Sequence, residues 1–410
     1  MKRIKNIVAR WVVDSRGRPT VEADVILENN VCGRAIVPSG ASTGKKEALE
    51  LRDADKFSVN TAVKHVNTII KENIVGMDAS DQLAIDNKLL ELDGTDNKSK
   101  LGANAILAVS LAVKKAAANS DKLYLYESLG GSKLPRPMMN VINGGAHAAN
   151  SLSIQEFMIV PNGPDFKTML MNSLKVFDTL KKILESNGHS TNVGDEGGFA
   201  PNLANADAAL TVIMQAITEA GFTPGTDFEL ALDTAASEFF DGTNYKMDGT
   251  TYSRDEMVAY YVDLVKRYPI ISLEDPFDED DYQSWANLTE SIGKDMIIVG
   301  DDLFVTNVNL LQKGIDEGLA NAILVKVNQI GTLTESINAI NLAKANGFKT
   351  VMSHRSGETE DITIAHLAVG LNCDFIKTGS LSRGERTAKY NELLRIEERI
   401  RTWIGMISSS

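Results

Sequence analysis

Six short apolar runs recur through the second half of the chain, each closing on a charged or polar side chain. They are Leu230-Ala231-Leu232-Asp233, Ile271-Ser272-Leu273-Glu274, Ile297-Ile298-Val299-Gly300-Asp301, Ala322-Ile323-Leu324-Val325-Lys326, Thr350-Val351-Met352-Ser353-His354 and Phe375-Ile376-Lys377. Short runs of this kind, rich in β-branched residues, read as strands buried on both faces. The fourth continues through Val327-Asn328, so its lysine sits either inside a strand, where burial demands a partner or a task, or at the strand end, reaching water. From Asp233 onward the closing residues fall 41, 27, 25, 28 and 23 positions apart, room for one strand, one helix and two short loops each time. A parallel barrel of such units gathers its strand ends at one mouth. Asp233, Glu274, Asp301, Lys326, His354 and Lys377 would then converge.

The first half has a different pattern. Val21 to Leu27 alternates as a half-buried strand should, and turn chemistry at Asp14 to Pro19 and at Asn29-Asn30 brackets it, with Val31 to Val37 following. This predicts a three-stranded meander. Pro38-Ser39-Gly40-Ala41-Ser42-Thr43-Gly44 is a run of small residues, either a surface loop or a lid whose backbone can approach a ligand. Val63, Val66, Ile69 and Ile70 share a helical face, on which His65 is an ordinary helix residue, and Leu101 to Ala118 is an alanine-rich helix. Leu134-Pro135-Arg136-Pro137 reads as a linker.

Strands are predicted at Met138 to Ile142 and Glu156 to Val160. The 13 residues between them, Asn143 to Gln155, lack a helical pattern, which suggests an antiparallel pair rather than a crossover. Two helices follow, near Phe166–Glu185 and Ala206–Ala220. The expected fold is therefore α/β: a ββαα(βα)6 TIM-like barrel over residues 134–410, preceded by a smaller α+β domain of meander and helices over residues 1–133.

Composition narrows the function. A net charge of −13 argues against a general nucleic-acid binder, and an acidic chain that binds an anion needs metal ions or local basic residues to reverse the sign. No apolar run is long enough to span a membrane, and Met1-Lys2-Arg3-Ile4-Lys5 lacks the apolar stretch of a signal peptide. Cys32 and Cys373, the only cysteines, fit a reducing compartment. A cytoplasmic protein without membrane or nucleic-acid partners is expected, with room for a surface or secreted fraction.

Asp233, Glu274 and Asp301 offer hard oxygen ligands without cysteine, a set suited to Mg2+. Two lysines beside a dication would have lowered pKa values, and a base near neutrality beside a Lewis acid suits removal of a proton α to a carboxylate. Glu196 lies in the flexible Gly194-Asp195-Glu196-Gly197-Gly198 loop, and Glu156 follows Gln155 at a strand start. If the two carboxyls meet, one pKa rises, leaving an acid able to protonate a departing hydroxide. Arg355-Ser356-Gly357, after His354, offers a guanidinium and free N–H groups to a phosphate.

Taken together, Ser15-Arg16-Gly17, Pro38 to Gly44, Asn143 to His147, Gln155 to Met158, Val193 to Pro201, Ser272 to Phe277, Gly300 to Leu303, Leu324 to Thr332, Ser353 to Asp361 and Ile376 to Gly379 resemble the enolase family nearly end to end. That resemblance implies a lyase: the reversible dehydration of 2-phospho-D-glycerate to phosphoenolpyruvate in glycolysis and gluconeogenesis. The superfamily pairs a Lys or His base with Mg2+ on an ene-diolate. It implies Lys326 as the base at C2 and Glu196 as the acid at the C3 hydroxyl, with Glu156 beside it. Asp233, Glu274 and Asp301 would hold a first Mg2+, and Ser42 would help hold a second that arrives with substrate. Arg355 and Ser356 would grip the phosphate, Gln155 and Lys377 would contact substrate, and His147 would close over it. Family members are homodimers or octamers. Arg18 stands where the family usually has Asn, and Gly384 where Ser is common; neither is a matched catalytic position. His189 and His366 match no family site and read as structural.

Three rivals share parts of this pattern. A racemase or cycloisomerase of the same superfamily would not need the Ser353-to-Asp361 motif. A Schiff-base aldolase could use a barrel lysine, but adjacent carboxylates favour metal. A non-catalytic scaffold or surface-binding relative could keep the fold, although all matched catalytic residues are present.

Overall fold

The computed structural model describes residues 2–40 and 44–408, with backbone only for 403–408. Ser42, expected to help hold a second metal ion, lies outside the described residues.

Strands β1 (Ile4–Val13), β2 (Pro19–Leu27) and β3 (Cys32–Ile36) form an antiparallel meander. The helix Ala103–Ser120 packs on it, and a Cβ on Gly33 would lie 2.2 Å from the Ala112 carbonyl oxygen, so only glycine allows this approach. β2 departs from the expected half-buried alternation. Its polar residues Glu22 and Asp24 are also buried, because Arg10 and Arg34 lie over them, Arg34 Nε reaching Asp24 Oδ1 at 2.6 Å. The chemistry alternates, but arginines rather than water cover the polar face.

The remaining strands are β4 (Arg136–Asn143), β5 (Glu156–Pro161), β6 (Phe228–Asp233), a small hairpin of β7 (Tyr245–Met247) and β8 (Thr250–Tyr252), β9 (Ile270–Glu274), β10 (Ile297–Gly300), β11 (Ala322–Val325), β12 (Lys349–Ser353) and β13 (Phe375–Lys377). All but the hairpin close into one barrel in the order β4-β5-β6-β9-β10-β11-β12-β13. β5 runs antiparallel to both its neighbours, and every other barrel pairing is parallel. Helices Phe166–Ser186 and Ala206–Glu219 intervene between β5 and β6, after which strand and helix alternate. This is the ββαα(βα)6 order, over a smaller α+β domain.

Two expectations need correction. β11 ends at Val325, and Lys326 is the extended residue (φ −112°, ψ 104°) that caps a helical turn, Val327–Ile330. Lys326 is therefore at the strand's end, not inside it. The Leu134–Pro137 segment is only partly a linker, because β4 already begins at Arg136. Pro137 pairs with Ile376 near the start of its strand, a position a proline tolerates.

The small domain reaches the barrel mouth. Ser39 and Gly357 exchange backbone hydrogen bonds, each 2.8 Å, and the Ser15 N–H donates to the Glu358 carbonyl at 2.8 Å. The turn at Asp14–Arg18 and the start of the Pro38 loop thus brace the loop after β12. Among the described residues no helix is long and apolar enough to cross a membrane.

Candidate active site

Because all other barrel strands run one way, their last residues meet at the mouth, and β5, running the other way, brings its first residue there. One cavity is lined by His147, Gln155, Glu156, Glu196, Asp233, Asp301, Lys326, Arg355, Ser356 and Lys377. Glu274 reaches the same group through Lys377. All the sequence-predicted site residues described in the structure therefore meet here.

Lys377 is the hub. Its buried Nζ lies 2.7 Å from Asp233 Oδ2, 2.8 Å from Glu274 Oε1 and 3.2 Å from Glu156 Oε1. Burial pushes its pKa down, but Asp233, Glu156 and Glu274 outweigh burial and hold it well above the ordinary lysine value. Lys326 is paired with Asp301, whose other oxygen accepts from Gln329 Nε2 at 2.8 Å. Burial again lowers its pKa, and Asp301 more than offsets this, so it too is raised. In the chain alone, its own carboxylates thus hold both lysines up; the expected lowering belongs to lysines beside a dication.

Glu196 is held by three side chains. Asn140 Nδ2 donates to its Oε2 at 3.1 Å, His354 Nε2 stands 3.4 Å from its Oε1, and His147 Nδ1 stands 3.5 Å from it. Ligand atoms of His147, Glu156 and Glu196 lie within 4.8 Å of one another. The two carboxyls therefore split. Burial, then the charge of Glu196, raise Glu156 well above the ordinary range. Burial acts the same way on Glu196, but the two histidines override it and hold Glu196 low. The pair is thus driven apart, Glu156 upward and Glu196 downward.

Arg355 forms a bidentate pair with Glu47, Nη1 to Oε2 at 3.0 Å and Nη2 to Oε1 at 3.2 Å. Gln155 Nε2 donates to Asp233 Oδ2 at 3.3 Å. Asp275 accepts the backbone N–H of Asp301 at 2.8 Å and of Asp302 at 2.9 Å, so it holds the loop after β10 against the end of β9. Sequence reasoning assigned no role to Glu47, Asn140, Asp275, Asp302, Gln329 or Arg386, and named His354 without one. The motifs around Glu274, Asp301 and Lys326 contain Asp275, Asp302 and Gln329, so a signal existed for those three.

The donor set suits a hard divalent cation. Asp233, Glu274 and Asp301 end or follow neighbouring strands, and buried carboxyls here outnumber the lysines that face them. Burial and then the charge of Asp233 raise Glu274 well above the usual carboxyl range, an unfavourable crowding that a cation relieves. Among the described residues the acidic group whose ligand atoms lie within 4.8 Å of one another is Asp275, Asp301 and Asp302; the expected set of Asp233, Glu274 and Asp301 does not form such a group, Asp233 and Glu274 being held by Lys377 and Asp301 by Lys326.

Fold and site together define a two-domain barrel protein that gathers buried acidic and basic side chains at one mouth of the barrel. Residues 4–129 match the family model "Enolase, N-terminal domain" and residues 131–405 match "Enolase, C-terminal TIM barrel domain". The chain belongs to the enolase family.

Proposed function

We propose that the protein catalyses the Mg2+-dependent, reversible dehydration of 2-phospho-D-glycerate to phosphoenolpyruvate. The observation that supports this most directly is one cavity shared by a half-buried lysine, Lys326, a close carboxyl pair, Glu156 and Glu196, and the guanidinium of Arg355 beside Ser356. Mg2+ held by Asp233, Glu274 and Asp301 would neutralise their charge, loosen the hold of Asp301 on Lys326 and draw electrons from a substrate carboxylate. Lys326 then takes the C2 proton. The C3–O bond breaks, and the hydroxyl leaves as water with the proton that Glu196 and Glu156 hold between them. Arg355, exchanging Glu47 for the phosphate, and Ser356 fix the substrate's far end. His147, on the Gly145–His147 turn, closes the site against water.

Solvent exchange at C2 separates the two proton transfers. Lys326→Ala should abolish exchange, whereas Glu196→Gln should keep exchange and block elimination. Equal loss of exchange in both variants would overturn this division of labour. Full turnover after exhaustive chelation would overturn the part assigned to metal.

A further inference from the structure

Arg386 lies in the first turn of the helix Gly384–Ser408, where a charged residue reads as solvent-facing, yet it is completely buried. Nη1 donates to His354 Nδ1 at 2.7 Å and to the Arg355 carbonyl at 2.6 Å. Nη2 donates to the Ser356 carbonyl at 2.5 Å and to the Asp195 carbonyl at 3.0 Å. Among the described residues none of these four acceptors is a carboxylate; the nearest carboxyl is Glu385, 3.4 Å from Nε. A buried guanidinium is expensive to desolvate, and this one is directed at two loops of the site.

A guanidinium only donates. Nδ1 of His354 must therefore accept, which leaves the ring neutral with its hydrogen on Nε2. That nitrogen faces Glu196 Oε1 at 3.4 Å. The charged groups around the ring are Glu196, Arg386 and Lys377, and burial acts in the same direction as the two cations, pushing His354 down to about 3.

We propose that Arg386 is a positioning residue: it ties the loop of Glu196 to the loop of Arg355 and Ser356, and it locks His354 as a neutral donor aimed at Glu196. The inference rests on the dehydration reading above for its consequence, but not for the tautomer. Without Arg386 the imidazole can take its proton on either nitrogen or become imidazolium beside Glu196, and the two loops lose their common anchor.

The test uses full-length protein with 15N-labelled histidine, the His354 signals being assigned by their absence in His354→Gln. Without substrate, the parent should show an unprotonated Nδ1 and a protonated Nε2 across neutral pH. Arg386→Met should lose that signature and lower kcat about 100-fold, the scale of a misplaced catalytic group, with Arg386→Lys intermediate in both. The parent signature persisting in folded Arg386→Met, or parent-level kcat despite its loss, overturns the proposal. If Arg386→Met does not fold, Arg386→Lys decides: parent-like signature and turnover overturn the proposal, and a partial loss of both supports it. A parent that shows the signature but does not turn over 2-phosphoglycerate would overturn the reaction and leave the tautomer lock standing.

Discussion

Glu156 opens strand β5 and Asp233 closes strand β6, and the two are direct partners in an antiparallel register. A strand start and a strand end become neighbours only because β5 runs against the rest of the barrel. Asp233 is in turn in register with Glu274 on β9. Lys377 meets all three carboxyls, so one ammonium compensates charge from three strands.

That arrangement makes Lys377 structural as well as functional. Lys377→Met removes the compensating charge and leaves Asp233, Glu274 and Glu156 buried together. Breaking a buried ion pair from one side costs roughly 3–5 kcal/mol. Urea unfolding in chelator should show a loss of that order, and Mg2+ should restore more stability to the variant than it adds to the parent. Equal Mg2+ stabilisation of the two proteins would mean that ion and ammonium do not share these carboxylates.

Asp275 makes a second, indirect demand on the metal site. Its φ of +42° is in the left-handed region that Asp and Asn tolerate, so Asp275→Asn should keep the backbone. The amide accepts through one oxygen only and turns its NH2 toward a backbone N–H. Asp301 should then lose its fixed orientation. Calorimetric titration should show Mg2+ affinity reduced about 10–100-fold, the usual effect of removing a group that orients a ligand. Unchanged affinity would show that Asp301 is positioned by Lys326 and Gln329 alone.

Asp302 predicts a pH dependence. Burial, then the charge of Asp301, push it up to about 7. Between the ordinary aspartate value, about 4, and about 7, the native chain therefore binds this proton more tightly than the unfolded chain does. The resulting stability is complete below the lower value and lost as pH rises through the upper one. In metal-free protein, Asp302→Asn should flatten this limb of the curve of Tm against pH. A slope identical to the parent's would assign it to Glu156, Glu274 and Asp275, whose raised values act in the same direction.

Legibility in the sequence followed exposure to pattern. Asp233, Glu274 and Lys377 could be read because each ends an apolar run, and a charge at the end of a buried strand must face either a partner or the barrel mouth. The reversal at β5 could be read from a connection with no helix in it. Lys326 could not be placed inside its strand or at its end, because Val327 continues the apolar run, and periodicity cannot tell a strand from the helical turn it feeds. Glu47 sits in Lys45-Lys46-Glu47 and Arg386 between Glu385 and Thr387, surroundings that resemble solvated surface. Their burial comes from tertiary docking, of the segment after the Pro38 loop in one case and of the last helix in the other, and local chemistry does not encode it. The alternating β2 strand failed for a related reason, since arginines from neighbouring strands replaced water over its polar face.

Gly379 tests whether the spacing between Glu196, His354 and Arg386 is as tight as the chemistry requires. Its φ is +80°, and a Cβ there would lie 2.7 Å from Arg386 Cδ, 2.9 Å from the Glu196 carbonyl oxygen and 3.0 Å from His354 Cε1. Gly318 offers the matched control, with a φ of +65° and nothing within 4 Å of its would-be Cβ. Alanine at either position carries the left-handed penalty, about 1–2 kcal/mol, so backbone strain alone predicts equal losses of stability and equal activity. Gly379→Ala must also displace backbone at Glu196 or the two buried side chains beside it. It should therefore lose more stability than Gly318→Ala and lower kcat about 100-fold, while Gly318→Ala keeps parental turnover. Comparable kcat in the two variants would show that this part of the site can shift without consequence for the chemistry.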